Sequence, residues 1–146
     1  MTKRVVAFGV VGVWVVGFVA LVAYATTFAQ ARSVNEGVYT AEQAKKGETT
    51  YKEQCAACHG DNLEGAGPMP ALAGKDFLSQ WQGKTVGDLF EKTQTSMPAT
   101  APGSLTAEQA AEITAYQLMK SNYPVGTTTL GTKMEALLLI KIDPAK

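Results

Sequence analysis

Cys55-Ala56-Ala57-Cys58-His59 places two thiols three residues apart, with a histidine directly after the second. On one turn of helix both sulfurs project to the same side, where each adds across one vinyl group of a porphyrin. The histidine next along is then set to reach the iron as an axial ligand. Two other chemistries use Cys-x-x-Cys. Zinc needs four ligands, and the chain holds two cysteines and one histidine in total. A redox dithiol of the thioredoxin kind has no use for a histidine at the following position. Placement of the sole histidine there favours covalent haem over both.

The bulk composition is compatible with one small domain. The chain has 146 residues, 46% of them hydrophobic, with 13 basic and 13 acidic side chains. There is no repeat, low-complexity tract or basic stripe, which argues against a nucleic-acid partner. Beyond residue 31 there remain 11 basic against 13 acidic side chains, a net charge of −2 before any haem propionates. So short a chain builds a self-sufficient core around a large cavity with difficulty, and a covalently held haem supplies the missing apolar interior.

The N-terminus opens with the basic Lys3-Arg4, followed over residues 5–25 by a run without charge, rich in valine. Ala29-Gln30-Ala31 fits the small-x-small rule for signal peptidase. The apolar run exceeds the usual signal core of about 7–15 residues, and as a helix it spans about 31 Å, close to the hydrocarbon thickness. Residues 1–31 are therefore either a cleaved signal or an uncleaved membrane anchor. Both keep Lys3 and Arg4 cytoplasmic and export everything after them, with membrane contact through residues 5–25 in the second case.

Residues 32–39 read as a linker, residues 40–126 as the folded domain and residues 127–146 as a tail packing on it. Thr40-Ala41-Glu42-Gln43 is a capping box, with Thr40 as N-cap and Gln43 at N3, opening a helix that runs to about Cys55. Ala44, Gly47 and Tyr51 share one narrow face; Gly47 there marks either close approach of another helix or a tolerated surface position. Residues 60–70 carry three glycines and two prolines and form a loop. It ends in Pro70-Ala71-Leu72-Ala73-Gly74, where a prolyl carbonyl and ring can wall one haem face without an N–H that needs a partner. Residues 76–81 form a short helical turn with Phe77, Leu78 and Trp81 apolar. Trp81 either gives its indole N–H to a haem propionate or packs in the core. Thr85-Val86-Gly87-Asp88 caps a helix that ends before Ser96-Met97-Pro98. Thr106-Ala107-Glu108-Gln109 opens the last helix, to about Asn122, whose Ile113, Tyr116 and Gln117 face could cross the Gly47/Tyr51 face of the first. The tail over residues 134–142 is apolar and is either a short amphipathic segment or an extended arm.

A second iron ligand has to be chosen among five methionines. Pro98 biases Met97 away from helix, so its thioether hangs from extended backbone. Thioether sulfur is a soft ligand suited to low-spin haem iron, and methionine opposite histidine raises the reduction potential. Met1 is the start, Met119 sits in a helix at a packing position and Met134 lies near the C-terminus. Met69 follows His59 too closely to cross the ring without folding back. Met97 has two helical segments between it and His59, enough chain to travel round the haem edge.

These residues resemble the class I c-type cytochromes over residues 40–124. The resemblance rests on Cys55-Ala56-Ala57-Cys58-His59-Gly60, Pro70-x-Leu72-x-Gly74, Met97-Pro98 and Ala115-Tyr116. It implies a small all-α cytochrome c fold whose first and last helices cross around one covalent haem c, here preceded by an N-terminal apolar helix. It also implies that Cys55 and Cys58 make thioethers, that His59 and Met97 are the iron ligands, and that Pro70 lies on the His59 side. Lys84-Thr85-Val86-Gly87-Asp88-Leu89-Phe90 and the residue 130–142 tail are similar to a narrower group of bacterial exported cytochromes, often associated with quinoprotein dehydrogenases or sulfur-compound oxidation. The haem-binding set expected is thus Cys55, Cys58, His59, Pro70, Leu72, Trp81 and Met97, with His59 and Met97 on the metal. No paired carboxylates, Ser/His arrangement or phosphate-cradling loop is present, and the single histidine is spent on iron. The expected role is a one-electron carrier between redox proteins, a dehydrogenase or an oxidase, on the outer side of the cytoplasmic membrane. The alternatives are a haem subunit of a membrane-associated dehydrogenase or oxidase complex and, from another class, a haem-based ligand sensor in which Met97 does not bind.

Overall fold

The structure is a computed structural model that describes residues 30–146; the apolar run expected as signal or anchor helix lies outside the described residues. Six helices carry the described part: α1 (Ala41–Gln54), α2 (Ala56–His59), α3 (Gly74–Trp81), α4 (Val86–Ser96), α5 (Ala107–Lys120) and α6 (Met134–Leu137). Among these residues no helix is long and apolar enough to cross a membrane.

The crossing of α1 over α5 is the most extensive packing between elements. α1 turns Gln43, Ala44, Gly47 and Tyr51 inward, and the last three, at i, i+3 and i+7, are the face that the sequence pattern marks. Gly47 is there because the backbones touch: a Cβ would collide with the Glu112 carbonyl of α5 and stand 2.9 Å from Ile113 N. Close approach, rather than surface tolerance, is its use. α5 is buried almost all round, from Ala110 to Leu118.

The caps are mostly as expected, with one correction. Thr40 Oγ1 accepts from Gln43 N at 3.2 Å, but the Gln43 side chain does not return to close the box. It pairs instead with both backbone groups of Leu130, donating from Nε2 to the carbonyl at 2.8 Å and accepting from the N–H at 2.8 Å. A buried tail segment with an unpaired peptide outbids an exposed helix start for the same carboxamide, because burial makes an unpaired group costly. Thr106 with Gln109 closes both halves of its box. So does Thr85 with Asp88: Asp88 Oδ2 accepts from Thr85 N and from its hydroxyl, each at 2.7 Å, and Thr85 Oγ1 accepts from Asp88 N at 3.1 Å.

The Thr85 hydroxyl and N–H hold the Asp88 carboxyl below its usual range. A lowered folded-state pKa contributes stability that is present above the unfolded pKa and is lost as pH falls through the folded one. Thr85→Ala is therefore expected to cost about 1 kcal/mol at neutral pH. Part of that cost should disappear in acid, as pH falls through the lowered pKa of Asp88 and its carboxyl protonates. Urea unfolding midpoints at the two pH values check it; an equal cost at both would remove the carboxylate from the account.

Residues 32–39 do not behave as a linker. Val34, Val38 and Tyr39 are buried in the main core, and Tyr39 gives its hydroxyl to the Tyr123 carbonyl at 2.6 Å, with burial pushing that phenol up to about 12. Strand β1 (Arg32–Ser33) pairs in parallel with β2 (Ile140–Lys141), a two-residue ladder in an otherwise helical fold. The tail is thus both a short helix and an extended arm. Leu137, Ile140 and Ile142 join the main core, and Ile142 exchanges backbone bonds with Lys84 and Gly83 at 3.0 and 2.9 Å. A second, smaller core of Tyr51, Cys55, Leu63, Leu105, Ile113 and Tyr116 lies under the Cys-x-x-Cys-His turn.

Candidate haem cleft

α1 ends at Gln54, Cys55 leaves the helix at φ −128°, and the chain re-enters a single turn, α2, that finishes on His59. Tyr51 fixes this turn: its ring leans on Tyr116 of α5 with centroids 5.6 Å apart, and its hydroxyl donates to the Gly60 carbonyl at 2.6 Å. Burial raises that phenol, so it stays a donor. The motif is therefore tied to the α1–α5 crossing through one side chain.

The two cysteines form no disulfide; Cys55 is buried and Cys58 exposed. Burial, with Cys58 nearby, pushes the Cys55 thiol up to about 11. A redox dithiol works through a thiolate of depressed pKa, so Cys55 is shifted in the wrong direction for that chemistry. Among the described residues no three His, Cys, Asp or Glu side chains converge to hold a metal ion.

His59 is 7% exposed, and its Nδ1 lies 2.8 Å from the Pro70 carbonyl oxygen. A carbonyl only accepts, so Nδ1 carries the proton and Nε2 is left with its lone pair free for a metal. The loop 60–73 places that carbonyl. Gly65 N donates to the His59 carbonyl and Leu72 N to the Leu63 carbonyl, each at 2.8 Å, and Ala66 pairs with Met69. Gly65 is required where it stands, at φ +81° with a Cβ position 2.7 Å from the Met69 oxygen.

The opposite wall comes from α4 and α5. Met97 follows α4 in extended conformation, φ −122° and ψ 152°, as the proline after it dictates. Leu89, Thr93 and Met97 recur at i, i+4 and i+8 and line the cleft, with Ile113 and Gln117 doing the same from α5. α3 is longer than a single turn and begins at Gly74; its Phe77 and Trp81 rings are 6.0 Å apart at the floor of the opening. Trp81 is half-buried, with the Lys84 ammonium 4.7 Å above its ring.

All seven residues expected to bind the group line this one cleft, whose volume is about 250 Å³. Met69 lines it too, 40% exposed, from the loop that carries Pro70 to His59. Met119 and Met134 pack against the cores. The lining is overwhelmingly apolar, and a free imidazole nitrogen, two thiols and a thioether converge in it, so the donors fit a covalently held haem. The sequence reading missed the α4–α5 wall, Leu89, Thr93, Ile113 and Gln117, although their i, i+4 spacing toward Met97 carried the signal.

Such a helical domain, with Cys-x-x-Cys-His beside the crossing of its first and last long helices and thioethers lining the same cleft, is that of a c-type cytochrome. The chain belongs to the family described as cytochrome C oxidase, cbb3-type, subunit III, which matches residues 42–116. It carries covalently bound haem c, and its chemistry is electron transfer. Among solved structures, the crystal structure of the sulfane dehydrogenase SoxCD from Paracoccus pantotrophus is similar at 25% identity and a TM-score of 0.45, over 61% of this chain. The similarity spans 45% of that chain. No curated protein matches.

Proposed function

We propose that the protein is a single-electron carrier with His59 and Met97 on the two faces of its haem, acting on the outer side of the cytoplasmic membrane. One observation carries this: His59, its Nδ1 held by the Pro70 carbonyl at 2.8 Å, and Met97, at the end of α4, line the same cleft from separate elements. Met69 shares a loop with Pro70, on the histidine's own side, which leaves Met97 as the ligand opposite. Haem supplies a one-electron couple when bound. Cys55 and Cys58 tether it, and His59 gives its Nε2 lone pair. Met97 gives a soft thioether that favours the reduced state, and the apolar wall of Leu89 and Ile113 keeps water out. With His59 and Met97 both holding the iron, no site would be left for O₂ or a substrate, and the group would supply only electron exchange with docked redox proteins. Export through residues 1–31, whether cleaved or kept as an anchor, places the domain where haem c is attached.

The family's description as an oxidase subunit supports a second reading, in which this domain relays electrons inside a membrane-bound complex. The two readings differ in how long the partner stays bound, and co-purification of the full chain with a membrane complex under mild detergent supports the second. The optical spectrum tests the ligation. A weak far-red band in the ferric protein and no change on adding CO to the reduced protein are expected. Absence of that band with ready CO binding would overturn the closed His59/Met97 site and turn attention to a sensed gas.

A further inference from the structure

Among the described residues Gln117 is the one buried side-chain amide in the cleft wall, and its chemistry is unspent. It is 2% exposed, lies on the cleft side of α5 one turn after Ile113, and its Oε1 has no hydrogen-bond partner among the described residues. The neighbouring hydroxyls are committed elsewhere: Thr93 gives its proton to the Leu89 carbonyl at 2.9 Å and Thr114 to the Ala110 carbonyl at 2.8 Å. An unpaired buried acceptor is a standing cost, and leucine would fill this helix position without it and with equal helix propensity. A gain at the other end of the carboxamide has to offset that cost. Oε1 is shut away from solvent and from donors, so the –NH₂ is the end left to face the cleft.

We propose that Gln117 sets the reduction potential of the haem by holding the positive end of its amide dipole toward the cleft. The inference rests on haem occupying this cleft and not on Met97 being its ligand. Oxidation adds one positive charge at the iron, and a fixed positive dipole end in an apolar, low-dielectric wall disfavours that charge. The potential is therefore higher with Gln117 than with an apolar residue of similar size. Gln117→Leu removes the dipole and keeps the volume. Gln117→Glu keeps the shape and replaces the –NH₂ with oxygen, which reverses the sign of the field, most of all when ionised.

The test is spectroelectrochemical titration of the parent and both variants as holoproteins against the same mediators, with covalent haem verified by haem stain on a denaturing gel. For Gln117→Leu the redox equilibrium constant is expected to move toward the ferric form by about threefold or more, the scale of one amide dipole acting across a poorly screened contact. Gln117→Glu should move it further in the same direction and make it pH-dependent. Thermal stability of the leucine variant should equal or exceed the parent's, because an unpaired polar atom is gone. A merely structural role moves stability and leaves the potential alone. A leucine variant with the parent potential or a higher one overturns the inference, and so does a glutamate variant above the leucine one. A parent protein without covalent haem overturns the haem reading and the inference with it.

Discussion

Met97→Ala should lower the reduction potential, abolish the far-red band and admit CO to the reduced protein. Pro98 keeps Met97 out of the α-helical region, and the observed φ of −122° and ψ of 152° end α4 there. The side chain therefore leaves the helix at the cleft instead of lying along it. Losing a thioether removes a ligand that favours ferrous iron; axial ligands tune haem over roughly 0.8 V, so the fall should be a sizeable part of that range. The fold should survive, because Met97 belongs to neither hydrophobic core and lies beyond the last turn of α4. Met69→Ala, in the same cleft but on the histidine's loop, should leave both spectrum and potential near the parent's. Parent-like behaviour of the Met97 variant, or a large change in the Met69 one, would reassign the ligand.

Much of this arrangement was legible in the sequence because it is local. Cys55, Cys58 and His59 are read from spacing alone, the three N-caps from side-chain chemistry a few residues apart, and the position of Met97 from the proline after it. What was not legible depends on partners far along the chain. Gln43 completes a capping box by every local rule, yet its carboxamide is taken by Leu130, 87 residues away. Residues 32–39 look like a polar, glycine-containing lead-in, yet the parallel ladder to the tail and the Tyr39 bond to Tyr123 draw them into the core. Gln117 shares a helix face with Ile113 and Tyr116, and nothing local distinguishes a polar residue turned to solvent from one sealed against a cleft. That distinction is made by α4, whose packing against α5 closes the wall.

Gly47→Ala should be strongly damaging although it lies away from the haem cleft. Two effects compete at this position. Alanine improves helix propensity by about 1 kcal/mol over glycine, and in an exposed helix it would stabilise. Here the added Cβ meets backbone, the Glu112 carbonyl and Ile113 N of α5, and not the flexible end of a side chain. Backbone in the middle of a 14-residue helix cannot give way locally, so α1 and α5 must separate along their whole crossing. Overpacking of this kind costs typically about 1–3 kcal/mol and occasionally more; with backbone as the obstacle we expect the upper end, about 3 kcal/mol net, read as a fall in the denaturant midpoint. Lys46→Ala, next to it on the exposed face of α1, should change stability by no more than about 0.5 kcal/mol. The Gly47 variant should also disturb the haem: Tyr51 holds the Gly60 carbonyl from one side of this crossing and Ile113 lines the cleft from the other. Separating the helices then pulls the Cys-x-x-Cys-His turn away from the α5 wall, and the potential and far-red band should shift with stability. A Gly47→Ala protein as stable as the parent would mean that the two helices do not touch at this point, and the account of how the cleft is held would fall with it.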